Sequence, residues 1–149
     1  MTTRERIEAD YTREAKARNE AAVSTLRMLK AALKYAEIEK RQPLDEDGVL
    51  EIISREVKKM RDALESYRSA GRQDLSAKAE AEIALLLGYL PEPLSDAVLE
   101  EIVRKKVAET GASSPKDMGR VMAEVMKEAK GRADGSKVSS LVKAALIGK

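Results

Sequence analysis

The side chains best suited to chemistry in this sequence are lysines and arginines near its C-terminal end. If the segment after Pro115 is helical and advances about 100° per residue, Lys116, Arg120 and Lys127 fall within an arc of about 40°. Lys130 extends this arc to about 80°, and Met and Val side chains occupy the opposite face. Arrays of Lys and Arg bind phosphate oxygens, so the stripe is a candidate anion-binding surface.

An amphipathic helix that packs on a core also places charge opposite its apolar face, so the stripe alone fits an ordinary solvated surface as well. The residues that follow favour binding, because a basic turn that contains glycine leaves backbone N–H groups accessible beside the cations. The candidate nucleic-acid-binding residues are Lys116, Arg120, Lys127, Lys130, Gly131, Arg132, Lys137 and Lys143.

The kind of nucleic acid follows from the positions of the aromatic side chains. All four tyrosines lie outside residues 113–149, and the chain has no Phe or Trp. Stacking of bases on aromatic rings is therefore not available in this segment. Recognition through phosphates and shape remains, and this is how proteins bind structured RNA.

Residue types that commonly carry catalysis are missing. The chain contains no His and no Cys, which removes the usual general base, the commonest metal ligand and any thiolate nucleophile. Ser113 and Ser114 precede Pro115, a pattern typical of a helix N-cap, and a serine nucleophile would need a base within hydrogen-bond reach. We therefore expect no catalytic residue, no cofactor and no metal site.

Charge is abundant but nearly balanced, with 28 Lys and Arg against 26 Asp and Glu. From Lys116 onward the count is eight basic against four acidic residues, so the basic excess is local to the end of the chain. This distribution predicts one modest basic patch. The sequence has no apolar run of about eighteen residues and no signal-peptide core, so we expect no membrane span and a cytoplasmic location.

The elements that must position these cations are helices. Apolar residues recur with helical spacing throughout, and alternating β-type runs are absent, so the predicted fold class is all-α. Asn19, Asp45, Ser95 and Ser114 are suitable N-caps, and Gly71 suits the left-handed position after a helix. The predicted helices cover roughly residues 2–17, 19–40, 45–70, 74–89, 95–110, 114–129 and 136–147.

The clearest boundary is the segment Pro91, Glu92, Pro93, because two prolines this close cannot lie inside a helix. It separates two predicted helical subdomains. Residues 1–90 form an N-terminal helical hairpin array of about four helices, and residues 91–149 form a C-terminal three-helix unit. A unit of about sixty residues is marginally stable alone, so we expect the second to lean on the first or on a partner.

The second predicted helix has apolar residues on more than one side. Its main face carries Ala22, Leu26, Leu29, Leu33 and Ala36. Met28, Tyr35 and Ile38 lie elsewhere and could meet either a partner or the third and fourth helices, and we expect the latter.

This helix also bears a second cationic stripe, for which an ordinary structural role is favoured. We expect nearby carboxylates of Glu37, Glu51 and Glu56 to form surface ion pairs with it. The stripe comprises Arg27, Lys30, Lys34 and Arg41.

Several segments together resemble a known family. They are ASSPKDMGRVM at residues 112–122, KGRADG at 130–135, LRMLKAALK at 26–34, AGRQDL at 70–75 and YLP at 89–91, with Val138, Leu141 and Val142. The chain is similar to the YqeY proteins, which share a domain with the tail of GatB, the B subunit of the glutamine-dependent tRNA amidotransferase.

The resemblance implies a binding role. In GatB the corresponding tail is a helical appendage that contacts the body of the tRNA. The kinase-like chemistry belongs to a separate cradle domain, and glutamine hydrolysis belongs to another subunit. The expected function is thus a non-catalytic tRNA-binding accessory module. The label of carbon–nitrogen ligase with glutamine as amido-nitrogen donor would be inherited from the full complex.

A second interpretation is left open by the same resemblance. The chain could be a protein-interaction subunit or adaptor of a glutamine-dependent amidotransferase, or could dock on an aminoacyl-tRNA synthetase. The long N-terminal helical array motivates this alternative, since simple phosphate binding does not require it.

Overall fold

The computed structural model describes residues 1–129 and 132–147, and every regular element in this part of the chain is helical. The predicted all-α class is confirmed. The helices are α1 (Thr3–Lys16), α2 (Glu20–Lys40), α3 (Glu46–Ser69), α4 (Gln73–Leu87), α5 (Asp96–Thr110), α6 (Met118–Ala129) and α7 (Gly135–Ile147), and a short 3-10 turn (Pro115–Asp117) precedes α6.

Packing divides the chain into two compact units, Met1–Leu90 and Pro91–Lys149. Helices α1 to α4 form the first unit, and α5 to α7 form the second. The change of unit coincides with the two prolines, which cannot continue α4 because proline lacks the backbone N–H that a helix interior needs. Whether either unit folds without the other stays a prediction.

The helix starts follow the side chains predicted to cap them. The Asn19, Asp45 and Ser95 side chains each accept a hydrogen bond from the backbone N–H three residues further on, at 3.3, 2.7 and 3.3 Å. Thr2 does the same for α1. Each bond satisfies one of the backbone donors that the first turn of a helix leaves without a partner.

Two of the helix ends use left-handed glycines. Gly71 after α3 has φ 70° and Gly111 after α5 has φ 66°. Arg18 and Arg41 adopt φ 57° at the ends of α1 and α2, where a side chain makes this conformation less favourable by about 1 kcal/mol.

Arg72, which follows Gly71, bonds the carboxylate of Asp74 in the first turn of α4, so the AGRQDL segment covers both the turn after α3 and the start of α4.

The start of the sixth helix differs from the prediction. Pro115–Asp117 is a 3-10 turn, and the α-helix begins only at Met118. The Asp117 carboxylate accepts the backbone N–H groups of Ser113 at 3.0 Å and Ser114 at 3.4 Å, and this draws the chain into a tighter turn. As a result Lys116 does not occupy the position that α-helical spacing assigned to it.

The first unit is built around the predicted main face of α2, which is buried against neighbouring helices. Helix α1 packs along α2, and α3 pairs with α4. The buried apolar residues of this core are Ile7, Leu26, Leu29, Leu33, Ala36, Val49, Ile52, Ile53, Val57, Met60, Leu64, Ala79, Ile83, Leu86 and Tyr89.

The expectation that Met28, Tyr35 and Ile38 pack on the third and fourth helices is wrong. Their exposed fractions are 39, 70 and 66%. Helix α2 does contact α3 and α4, but it does so through other positions, because one helix cannot turn all its sides inward in an array of this size. These three side chains remain on the surface.

Tyr89 closes the end of the first unit. Only 6% of it is exposed, its hydroxyl donates a hydrogen bond of 2.5 Å to the Asp10 carboxylate, and the Arg6 guanidinium lies 5.2 Å from its ring centre. Burial, followed by the bond to Asp10, raises the pKa of Tyr89 above that of a free tyrosine. Tyr89 thereby connects the C-terminal end of the first unit to α1.

Replacing Tyr89 with Phe tests this tie. The change removes the bond to Asp10, so we expect the free energy of unfolding at neutral pH to fall by about 1 to 2 kcal/mol. Above pH about 10 the tyrosine ionises in the unfolded chain before it does so in the folded one, so the wild type loses stability there. Urea denaturation across this pH range should show the difference between Tyr89→Phe and wild type narrowing. A difference that stays constant up to pH about 11 would contradict the raised pKa.

Candidate nucleic-acid interface

The core of the second unit decides which side of α6 faces outward. Val121, Val125 and Ala129 point inward and are fully buried. The outward side carries the predicted cations together with small residues: Gly119, Arg120, Ala123 and Lys127 are all exposed. The buried residues of this core are Leu99, Val103, Val107, Ala112, Val121, Val125, Ala129, Val138, Val142 and Leu146.

The acidic flank of α6 faces α5. Glu128 lies 3.6 Å from the ammonium of Lys106, which also bonds Glu109 at 3.3 Å. These carboxylates raise the pKa of Lys106, the bond to Glu109 being the main cause. Helix α7 also packs on α6, and Gly119 and Ala123 lie on the other flank of α6 from Glu128.

The cations of α6 are partly neutralised by carboxylates one turn earlier. Arg120 bonds Asp117 at 3.1 Å, and Lys127 bonds Glu124 at 3.1 Å. The backbone N–H groups around Ser113, with help from Arg120, lower the pKa of Asp117, which keeps this carboxyl ionised. The Arg120 and Lys127 side chains are still 55 and 73% exposed, and exposed pairs of this kind contribute little free energy. A phosphate can therefore compete with either carboxylate.

The basic turn is only partly described, because Lys130 and Gly131 lie outside the described residues. Arg132 both accepts a hydrogen bond from the segment before α5 and donates one to it. Its carbonyl accepts the Leu94 N–H at 2.7 Å, and its side-chain Nε donates to the Glu92 carbonyl at 3.2 Å. The turn is thus anchored on the linker, while Arg132 itself remains exposed.

The two lysines of α7 do not lie on one line. Lys137 pairs with Asp96 in the first turn of α5. Lys143 is six residues further, about 120° away around the helix, and is exposed. Helix α7 also packs on the turn that carries Lys116. Of its two lysines, Lys143 is the one without a carboxylate partner among the described residues.

Cations without a carboxylate partner are the ones most available to a ligand. Lys116 and Lys143 are exposed and form no ion pair within the described ranges. The same is true of Arg104 and Lys105 on α5, which were not among the predicted binding residues. The run of three basic residues between Val103 and Val107 was the available signal for these.

Small residues accompany the stripe. An added Cβ on Gly119 would meet no atom within 4 Å, so packing inside the chain does not require glycine here. Ala123 follows one turn later and is exposed. Together they leave space at the surface of α6 between the cations, where a ligand can approach the helix closely.

Acidic side chains do not gather into a metal site in the described residues, where no group of three or more has a suitable arrangement. None of the helices in residues 1–129 and 132–147 is long and apolar enough to cross a membrane.

Comparison with known proteins places this all-helical chain in a family. The profile of the YqeY family, described as Yqey-like protein, matches residues 4–146. The chain belongs to the YqeY family, as its motifs suggested. The match extends across both compact units, so it includes the cationic face of α6 as well as α2.

Three curated relatives are fungal. The chain is 30% identical to "Altered inheritance of mitochondria protein 41, mitochondrial" of Pyrenophora tritici-repentis, over 91% of its own length and 75% of that protein. It is 32% identical to an uncharacterized protein of Schizosaccharomyces pombe, over 54% of this chain and 66% of that one. A second "Altered inheritance of mitochondria protein 41, mitochondrial", from Eremothecium gossypii, is 29% identical, over 56% of this chain and 46% of that one.

Gly119→Ala tests whether glycine at this position serves the fold. Alanine is the better helix former and has room here, so we expect the free energy of unfolding to rise by about 0.5 to 1 kcal/mol. Urea denaturation measures this change, with Ala123→Gly as the reverse variant on the same face. A loss of stability in Gly119→Ala would show that the fold itself needs this glycine.

Proposed function

We propose that this protein is a non-catalytic accessory module that binds structured RNA, with tRNA as its ligand, through the face formed by α6, the turn before it and α7. The observation that carries the proposal is the exposed arrangement of Lys116, Arg120, Lys127 and Lys143 around the small residues of α6. Membership of the YqeY family, together with the resemblance to the GatB tail, supports tRNA as the ligand.

The chemistry of the face fits a phosphate backbone better than a single small anion. The cations lie on two helices and one turn, all exposed, and no one position gathers them. Widely placed cations neutralise several phosphates at once and release condensed counterions, which gives binding that weakens steeply with salt. Without aromatic side chains in this segment, contacts to phosphates and sugars carry the affinity.

The proposal extends to an assembly and a location. The module would act together with a tRNA amidotransferase or an aminoacyl-tRNA synthetase, and that partner enzyme would supply the catalysis. We propose a cytoplasmic location, which suits a chain without cysteine. The names of two relatives contain the word "mitochondrial", and that word describes those proteins. The carbon–nitrogen ligase activity, with glutamine as amido-nitrogen donor, would then belong to the partner enzyme.

A salt titration of labelled tRNA tests the binding face. In the variant Lys116→Ala/Lys127→Ala/Lys143→Ala we expect weaker binding, because each lost phosphate contact should lower the slope of log K against log salt by about one unit. Fluorescence anisotropy at several salt concentrations measures both the affinity and the slope.

The matched control is Lys40→Ala/Lys58→Ala/Lys78→Ala, which makes the same change of net charge with exposed lysines of the first unit. We expect this control to retain most of the affinity and the slope. Equal losses in the two triple variants would mean that net charge alone drives binding. Undetectable tRNA binding by the wild type at low salt would contradict the proposed function.

Glu124→Gln tests the competition between carboxylate and phosphate. The change removes the partner of Lys127 while it keeps a side chain of the same size, so we expect tRNA to bind more tightly. The gain should be largest at low salt and should vanish when Lys127→Ala is present in the same chain. An equal gain in Glu124→Gln with and without Lys127→Ala would contradict a competition at Lys127, since the carboxylate would then act on the phosphates directly.

A further inference from the structure

Helix α2 carries an apolar surface that no part of the described chain covers. Tyr35 and Ile38 are 70 and 66% exposed, and Met28 is 39% exposed. Such side chains are unremarkable when they are scattered singly, but here they lie in one line on one helix. The same line includes three small residues that are also exposed. We call Ala21, Ser24, Met28, Ala31, Tyr35 and Ile38 the α2 seam.

The spacing of the α2 seam is that of a helix-pairing surface. Its members are separated by three and four residues in alternation, the spacing of the a and d positions in a coiled coil. They occupy an arc of about 100° along a length of about 26 Å. The opposite side of α2 is buried in the core of the first unit, so the helix is held in place with its seam presented outward.

Cations border the seam on one side. Arg27 and Lys34 precede Met28 and Tyr35 by one residue and are exposed, which corresponds to the charged flanking position of a heptad. The carboxylates expected to neutralise them are engaged elsewhere: Glu37 bonds Arg4 at 2.7 Å, and Glu51 bonds Arg55 at 2.8 Å.

These flanking cations have few partners of their own. Lys34 forms no ion pair among the described residues, and the Arg27 guanidinium bonds only the Tyr11 hydroxyl, at 3.5 Å. Lys30, by contrast, turns away from the seam and bonds Glu8 at 3.0 Å over the Tyr11 ring. The flank of the seam is therefore positively charged and open to a carboxylate.

We propose that the α2 seam docks an amphipathic helix of a partner protein that carries large apolar residues at a and d and Asp or Glu at its flanks. The juxtaposition of Tyr35 and Ile38 with the uncompensated Arg27 and Lys34 selects this partner. A carboxylate on the docked helix forms an ion pair with each cation, and the apolar side chains of that helix cover the exposed Tyr35 and Ile38 side chains.

A second copy of this chain satisfies the seam less well. If two α2 helices paired in antiparallel fashion with their centres aligned, Arg27 of one copy would face Lys34 of the other, and like charges repel. Glu20, one heptad before Arg27, could meet a cation only at the ends of such a pair. In a parallel pair Lys34 could meet Glu39 of the other copy, but Arg27 would face Ala32. An acidic partner helix satisfies both cations at once, and this decides the choice.

Two labelled helical peptides serve as probes. Each spans about three heptads with Leu at a and d, and one carries Glu and the other Lys at the flanking positions, so that like charges keep each peptide monomeric. We expect the purified chain to bind the acidic peptide and to bind the basic peptide at least about tenfold more weakly. Anisotropy titration gives both constants.

Variants then locate the binding. Tyr35→Ser/Ile38→Ser should lower the affinity for the acidic peptide at least about tenfold, because it removes the two largest exposed apolar side chains of the seam. Arg27→Glu/Lys34→Glu should reverse the preference toward the basic peptide. Ile147→Ser is the matched control, since Ile147 is 62% exposed on α7 and lies outside the seam. Circular dichroism confirms that each variant is folded before it is scored.

Three results would overturn this proposal. The first is equal or absent binding of the two peptides by the folded wild type. The second is a wild-type dimer in sedimentation that Tyr35→Ser/Ile38→Ser converts to a monomer, since the occupant would then be a second copy. The third is a loss of tRNA binding in that variant, which would assign the seam to RNA. Retained tRNA binding with lost peptide binding separates this site from the proposed RNA face.

Discussion

Close packing of small aliphatic side chains is the constraint on which the second unit depends. Its buried residues are all Leu, Val or Ala, and three short helices supply all of them except Ala112. Met118, Met122 and Met126 pack against these residues, so the apolar side chains of α6 are committed to the core. The exposed cations of α6 are a direct consequence, since Val121, Val125 and Ala129 face inward.

Carboxylates moderate that outer face. Arg120 and Lys127 each have an acidic residue three positions earlier in the chain, and Lys137 has Asp96. Such ion pairs, two within one turn of helix and one between α5 and α7, limit non-specific attraction to polyanions. The proposed RNA ligand would have to displace several weak pairs at once, which the many phosphates of a folded RNA would allow and a single phosphate would not.

The two units present different chemistry at their surfaces. The second unit exposes cations around small residues and has no aromatic side chain after Tyr89. The first exposes an apolar line on α2 beside cations whose expected carboxylates are used elsewhere, such as Glu37, which bonds Arg4 and the Leu44 N–H. The proposed phosphate binding and the proposed helix docking therefore use separate units, which would suit a module that brings an RNA and a protein together.

Local patterns in the sequence were sufficient to predict the helices and most of their ends. The caps at Asn19, Asp45 and Ser95 depend on bonds that span three residues, and the buried face of α2 depends on spacing within one helix. The family could also be identified, because its motifs are continuous segments. The 3-10 turn at Pro115–Asp117 was missed because the Asp117 carboxylate draws in two backbone N–H groups, a detail that helical periodicity does not report.

Only the tertiary structure decided which surfaces remain free. The exposure of Tyr35 and Ile38 depends on where α3 and α4 lie, and periodicity shows that a side of a helix is apolar without showing whether another helix covers it. The pairing of Lys137 with Asp96, like that of Tyr89 with Asp10, joins residues 41 and 79 positions apart. Such contacts depend on how whole helices pack, whereas the sequence by itself determined the helices, their caps and their inward faces through interactions within a few residues.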